Sequence, residues 1–221
     1  MTAPVAEVSA LLLDLDGTLV DSEPLHRRGY ESFFAHKGWD LPDLSVFTGR
    51  RAVDVFATEP GPWEGLDPEA VLAEVLDHVP DEAAQAVPGA RDLIEAARAG
   101  GTPVAIVTSA GPAWVERSLV ESLALELDSV DLVVTARDVE DGKPHPAGFA
   151  LACRRLDADP AAALAAEDSP AGVRAARGAG VRRVHGIGTS HPRDVLLDAG
   201  AVDVHADLRP LLPLLPLLPS G

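Results

Sequence analysis

The stretch Leu11-Leu-Leu-Asp-Leu-Asp-Gly-Thr-Leu-Val-Asp-Ser22 ends an apolar run in two aspartates one residue apart, then turns at Gly17-Thr18. Burying an unpaired carboxylate is costly, and two close carboxylates repel each other. Asp14 and Asp16 therefore belong where a strand leaves its sheet, with positive charge nearby.

Beyond this stretch, short apolar runs alternate with amphipathic segments, which is the pattern of a parallel sheet flanked by helices. Core strands are expected at Ala10–Asp14, Pro103–Thr108, Leu132–Thr135, Ala163–Glu167 and Arg183–Ile187, with a short sixth at Val202–His205. Helices are expected at Ala90–Ala99, Pro112–Leu123, Pro146–Leu156 and Pro170–Ala179. Pro112, Pro146 and Pro170 each fall in a first helical turn, where proline is tolerated. From Ser22 to Gln85 no strong strand pattern occurs. Helical pattern at Pro24–Lys37, Arg51–Thr58 and Pro68–Val79 marks an insertion, with connectors at Leu19–Glu23 and Asp81–Pro88. The expected architecture is α/β: a Rossmann-like, doubly wound parallel sheet formed by residues 1–20 and 86–221, carrying an α-helical segment at 21–85. The C-terminal Pro210-Leu-Leu-Pro-Leu-Leu-Pro-Leu-Leu-Pro219 has proline at every third position. It is expected to adopt polyproline II and pack loosely.

Composition narrows the function. The chain has 221 residues and a formal net charge of −17, which disfavours binding to nucleic acid or to anionic membranes. No stretch approaches the roughly 20 apolar residues of a membrane span. The N-terminus lacks a basic leader and Asp14 interrupts its apolar run, so a cytoplasmic protein is expected. Cys153 is the single cysteine. It excludes an intrachain disulfide and reads as a helix residue on an apolar face, not as a nucleophile.

Four features fall at the C-terminal ends of expected strands, where open α/β sheets build their sites. They are Asp14-Leu-Asp16-Gly-Thr18, Thr108-Ser109, Gly142-Lys-Pro-His145 and Glu167-Asp168-Ser-Pro-Ala-Gly172. Asp14, Asp168 and Glu167 offer hard oxygen donors suited to Mg²⁺. Lys143 can hold an anion and keep a neighbouring carboxylate ionised. Thr108 supplies a hydroxyl, and the amides after it lead into a helix start, where anions bind favourably. Together these residues describe a phosphoryl-transfer site.

In this order, and on these strands, the four motifs resemble those of the haloacid dehalogenase-like (HAD) superfamily. The helical insertion resembles the small cap of its phosphatase and mutase branch. The resemblance implies that Asp14 is a nucleophile forming an aspartyl-phosphate and that Asp16 is the general acid and base. It implies Mg²⁺ held by the Asp14 and Asp168 side chains and the Asp16 carbonyl, with Glu167 partly through water. Thr108 and Ser109 would bind the phosphoryl group and Lys143 would neutralise charge. Asp16 sets the chain apart from dehalogenases, which lack this second acid. Substrate choice would fall to the cap, with His26, Arg50 and Arg51 as candidates. Phe47-Thr-Gly-Arg-Arg-Ala-Val-Asp54 resembles an element of glycerol-phosphate and 2-deoxyglucose-6-phosphate phosphatases, though Ala52 stands where those carry Thr and Thr48 where they often carry His. The expected partner is a small phosphorylated metabolite, with the protein a monomer or weak dimer. A β-phosphoglucomutase-like activity is the alternative, and no lysine between Lys37 and Lys143 supplies the contact such mutases draw from the cap. A catalytically inactive binding protein is a third reading, and the presence of Asp14, Asp16, Lys143 and Asp168 weighs against it.

Overall fold

The structure is a computed structural model and describes residues 8–215. Chain order runs β1 (Leu11–Leu13), β2 (Val20–Asp21), α1 (Glu23–Lys37), α2 (Ala52–Thr58), α3 (Pro68–Asp77), β3 (Gln85–Ala86) and α4 (Ala90–Ala99). It continues β4 (Val104–Val107), α5 (Pro112–Arg117), β5 (Leu132–Val134), α6 (Ala147–Arg155), β6 (Leu164–Glu167), α7 (Pro170–Gly178), β7 (Arg183–Ile187), α8 (Arg193–Asp198) and β8 (Asp203–His205). Six strands form one parallel sheet in the order β5-β4-β1-β6-β7-β8.

Strand β1 is central and buried on both faces, which explains its unbroken leucines. Period-2 alternation sends Leu11, Leu13 and Leu15 into one apolar cluster and Ala10 and Leu12 into the other. The first cluster takes in α4, and the second takes in α6, α7 and α8. The chain winds from β1 through β4 to β5, then crosses back to β6 on the other side of β1. That reversal opens a crevice at the C-terminal end of β1, the usual ligand position in such sheets.

Helices α1, α2 and α3 enclose their own cluster, in which Phe33, Phe34, Phe47, Phe56 and Trp63 are buried. This cluster shares no residue with the two that flank the sheet. The connectors expected at Leu19–Glu23 and Asp81–Pro88 hold a two-stranded antiparallel ribbon, with Val20 opposite Ala86 and Asp21 opposite Gln85. Strands of two residues carry no detectable periodicity.

Three further expectations need correction. The helix from Pro112 is α-helical only to Arg117 and then passes into a π turn over Ser118–Ser122. Helix α8 was not anticipated, because its six residues are too few for a clear period. The proline-rich end is not polyproline II where it is described. Arg209–Leu214 forms a 3₁₀ helix, and Leu211 and Leu215 are buried in the cluster around α4. Burial of those leucines outweighs the local preference of proline, and the rest of the repeat, residues 216–219, lies outside the described residues. Cys153 is buried against the sheet, as its place on the helix face suggested. Among the described residues no helix is long and apolar enough to cross a membrane.

At the sheet edge, His185 Nδ1 faces His205 Nε2 at 3.0 Å, with ring planes 20° apart and centroids 5.3 Å apart. That separation matches two rings meeting edge to edge in one plane, so one ring donates an N–H to the other. Burial first, and then His205, holds the pKa of His185 down to about 4. The unfolded chain takes up this proton near pH 6.5, whereas the folded chain does so only near pH 4. The stability contributed is therefore complete above pH 6.5 and falls as pH drops from 6.5 towards 4. His185→Gln should flatten the dependence of melting temperature on pH across that window, as read by thermal denaturation at a series of pH values.

Candidate active site

At the end of β1 the backbone turns tightly. Leu15 O accepts from the amides of Leu19 and Val20 at 2.8 and 3.1 Å, and Gly17 N donates to Val20 O at 2.7 Å. Gly17 has φ +77°, and a Cβ there would lie 2.0 Å from Asp168 Oδ2. Only glycine admits both the left-handed backbone and that close approach. The turn places the Asp14 and Asp16 carboxylates in different surroundings.

Asp14 is buried, and its Oδ1 accepts a short hydrogen bond from Lys143 Nζ. The same ammonium donates to Glu167 Oε1 at 2.5 Å. Glu167, at the end of β6, is 0% exposed and its second oxygen accepts from the Ser169 amide at 3.1 Å and the Ser169 hydroxyl at 3.0 Å. Ser169 also caps α7 by accepting from Gly172 N at 3.0 Å. Both Glu167 oxygens are thus engaged by protein donors.

Asp168 differs. Its Oδ1 is buried without any hydrogen-bond partner among the described residues. Asp14, Glu167 and Asp168 offer oxygens within 4.8 Å of one another. Burial, and then the neighbouring Glu167 and Asp14, push the Asp168 carboxyl well above its ordinary range. Burial likewise pushes Asp14 up, opposed by Lys143. For Lys143 burial acts downward, but the two carboxylates more than offset it and hold the ammonium protonated. One ammonium against three buried carboxylates leaves an excess of negative charge. An orphaned oxygen beside it fits a hard divalent cation of the Mg²⁺ type.

Asp16 is only half-buried. Its Oδ1 accepts from Ser22 Oγ at 2.6 Å and from the Trp114 indole Nε1 at 2.8 Å. Thr108, at the end of β4, is buried and its Oγ1 accepts from Ala110 N at 3.0 Å. Thr108, Ser109, Lys143, His145 and Arg51 line one small cavity beside α6.

The expected core residues Asp14, Asp16, Thr108, Ser109, Lys143, Glu167 and Asp168 all stand at the C-terminal rim of the sheet, Glu167 as the last residue of β6 and the others on the loops after β1, β4, β5 and β6. The candidates from the insertion are placed differently from one another. Arg50 turns back on its own helix, donating to Glu59 Oε1 at 2.7 Å, and does not enter the cavity. Arg51 pairs with Asp54 at 2.8 Å and donates to the carbonyls of Ala136 and Val139 at 3.3 Å and of Glu140 at 2.5 Å. It therefore ties the insertion to the loop after β5, with its donors largely spent on backbone. His26 packs tilted against Trp114, with ring centroids 5.4 Å and planes 44° apart.

Several neighbours of the site escaped the sequence reading. Ser22 and Trp114 carry no motif around Asp16. Thr189 donates to Gly17 O, His191 Nδ1 donates to the Asp168 carbonyl at 3.2 Å, and Ser190 lies against the Asp168 carboxylate. These three follow β7, so the strand-end rule extended by one strand would have found them.

Comparison with known proteins places this geometry in company. A family model described as haloacid dehalogenase-like hydrolase matches residues 8–180. Validoxylamine A 7'-phosphate phosphatase of Streptomyces hygroscopicus subsp. limoneus is 37% identical over 193 residues, covering 85% of this chain and 89% of its own length. Protein CbbY of Cereibacter sphaeroides is 33% identical over 216 residues, covering 88% and 93% respectively. The crystal structure of a CbbY variant from Rhodobacter sphaeroides in complex with xylulose-(1,5)bisphosphate superposes with a TM-score of 0.78 at 27% identity, covering 92% of this chain and 96% of that one.

A Cβ at Gly172 would lie 1.7 Å from Glu167 Oε1, whereas one at Gly111 would meet nothing within 4 Å. Gly172→Ala must dislodge the carboxylate from Lys143 and is expected to cost about 1–3 kcal/mol of stability. Gly111→Ala serves as the matched control and should stay within about 0.5 kcal/mol of the parent. Denaturant unfolding of the two variants checks both values.

Proposed function

The chain belongs to the haloacid dehalogenase-like hydrolases and is a phosphoric monoester hydrolase, and from that premise we propose that it releases inorganic phosphate from a small phosphorylated sugar or polyol through an aspartyl-phosphate on Asp14. The observation that carries this reading is the buried Lys143 ammonium shared between Asp14 and Glu167 beside the unpartnered Asp168 oxygen.

In this mechanism Lys143 works against the burial that raises the Asp14 carboxyl, favouring its ionised form and orienting it, so that an oxygen of Asp14 can attack phosphorus. Thr108 and Ser109 hold the transferring group from the β4 side. Asp16 protonates the leaving oxygen and then takes the proton of the water that hydrolyses the aspartyl-phosphate. Mg²⁺ would be held by the side chains of Asp14 and Asp168 and the carbonyl of Asp16, and it would neutralise charge on the phosphoryl oxygens. With both its oxygens on Lys143 and Ser169, Glu167 would act on the cation through water. The insertion, comprising residues 21–85, would select the organic part of the substrate. The sugar or polyol class is supported by the phosphatase of a phosphorylated compound at 37% identity and by the sugar bisphosphate seated in the CbbY variant. The mutase alternative is weakened by the absence of any lysine in the chain between Lys37 and Lys143.

A phosphate-release screen across sugar, polyol and nucleotide phosphates, with and without Mg²⁺, tests the proposal. Sugar or polyol esters should turn over fastest, and chelation should abolish release. Asp14→Asn should lose at least about 10³-fold in kcat, and full activity in that variant would refute the nucleophile assignment. Asp16→Asn should keep phosphate affinity and lose roughly 10²–10⁴-fold in turnover. Conversion of β-glucose 1-phosphate to glucose 6-phosphate without free phosphate would favour the mutase instead.

A further inference from the structure

Asp16 receives two hydrogen bonds, and both fall on the same oxygen. Ser22 Oγ and Trp114 Nε1 donate to Oδ1 at 2.6 and 2.8 Å, and no described side chain donates to Oδ2. A carboxyl group that must exchange a proton with a substrate needs one oxygen anchored and the other open. Trp114 stands in the third position of α5, five residues beyond Ser109, and belongs to none of the four motifs. Two groups lie against its ring. His26 of α1 packs against it at 5.4 Å, and the Arg117 guanidinium sits 5.9 Å from its centroid. Arg117 in turn pairs with Asp81 at 2.9 Å, in the chain that returns from the insertion towards β3.

We propose that Trp114 is a positioning residue for proton transfer. Its indole N–H fixes Oδ1 of Asp16, so that Oδ2 faces the leaving oxygen of the substrate. The inference rests on the phosphatase reading and on Asp16 as the acid in it. In the step concerned, a bond forms between an Asp14 oxygen and phosphorus while the bond from phosphorus to the leaving oxygen breaks. The proton carried on Asp16 Oδ2 passes to that oxygen, which departs as a neutral alcohol. A carboxyl free to rotate would present Oδ2 correctly for only part of the time, and a restrained one is already oriented when the substrate arrives. Packing against His26 and Arg117 restrains the indole, and it links Trp114 directly to the outgoing end of the insertion through His26 and indirectly, through Arg117 and Asp81, to the returning end.

The alternative is that the Trp114 N–H merely satisfies a half-buried donor. The two roles separate by leaving group. An alkoxide leaves poorly without protonation, whereas a nitrophenolate leaves readily. The parameter kcat/KM covers the steps through phosphoryl transfer and excludes the later hydrolysis, so it isolates the acid step. The test compares kcat/KM of the parent and Trp114→Phe on glycerol phosphate and on p-nitrophenyl phosphate, with Mg²⁺ present. Phenylalanine keeps an aromatic ring in that place and removes the donor. The expected result is a loss of roughly tenfold on the alkyl ester, carried by kcat with KM little changed, and a loss of less than about twofold on the aryl ester. Equal losses on the two esters, or no loss on either, would overturn the proposal. Inactivity of the parent on both esters and across the phosphate-release screen would overturn the proposed function, and the inference with it. Should Trp114→Phe fold poorly, benzothienylalanine at position 114 replaces the N–H by sulfur within the same outline, and the same ratio of losses decides the matter.

Discussion

The ion pair between Lys143 and the two carboxylates of Asp14 and Glu167 is the contact on which the rest of the rim depends. An ammonium and carboxylates removed from water each incur several kcal/mol of desolvation, and only close mutual contact with additional hydrogen bonds offsets it. The fold supplies those bonds from three separate strand ends. Glu167 arrives at the end of β6 and is braced by Ser169, Asp14 follows β1, and Lys143 comes in on the long loop after β5. Loss of any member would strand buried charge on the others. The arrangement thus commits three strands to one register, and it also leaves Asp168 with an oxygen that no described residue satisfies.

The two aspartates that open the chain's distinctive motif face different environments despite being one residue apart. Asp14 meets an ammonium inside the sheet's rim, while Asp16 stands half-buried between a serine hydroxyl and an indole. Leu15 between them turns down into the core and anchors the turn. Such divergence in surroundings is what separates an attacking carboxylate from a proton-transferring one. The chain leaves β1 after Leu13 and turns at Gly17, and that turn separates the two carboxylates.

Much of this was legible in the sequence because strong local signals coincided with the functional geometry. Strand β1 showed itself by consecutive leucines, and the next strands by runs of Val, Ile and Ala. Most of the site residues followed, since Asp14, Thr108, Glu167 and Asp168 stand at the end of such a run or directly after it, whereas Lys143 lies further along the loop after β5. What stayed hidden shares a different character. The β2–β3 ribbon is two residues long on each side, and α8 is six, so neither yields a period. The proline-rich end resembles an extended segment locally, yet burial of Leu211 and Leu215 overrides that preference. Arg50 and Arg51 are adjacent and chemically identical, and only tertiary structure reveals that one turns back to Glu59 while the other reaches across to three carbonyls. Trp114 meets Asp16 across 98 positions of sequence.

The ribbon of β2 and β3 has a consequence for how such a molecule can change over time. Paired antiparallel residues stand about 4.5–5.5 Å apart, so the insertion leaves the sheet and rejoins it at essentially one point. The sheet is closed by contacts among β1, β4 and β6 and requires nothing of the length or shape of what lies between Asp21 and Gln85. Loop-closure entropy grows only with the logarithm of length, by about 0.6 kcal/mol for each doubling. A segment with its own aromatic core can therefore be lengthened, trimmed or exchanged at that point at little thermodynamic cost to the sheet, provided that the contacts of Arg51 and His26 with the rim are kept. On the proposed function, in which the insertion selects the substrate, chemistry and selectivity would be separable quantities of inheritance.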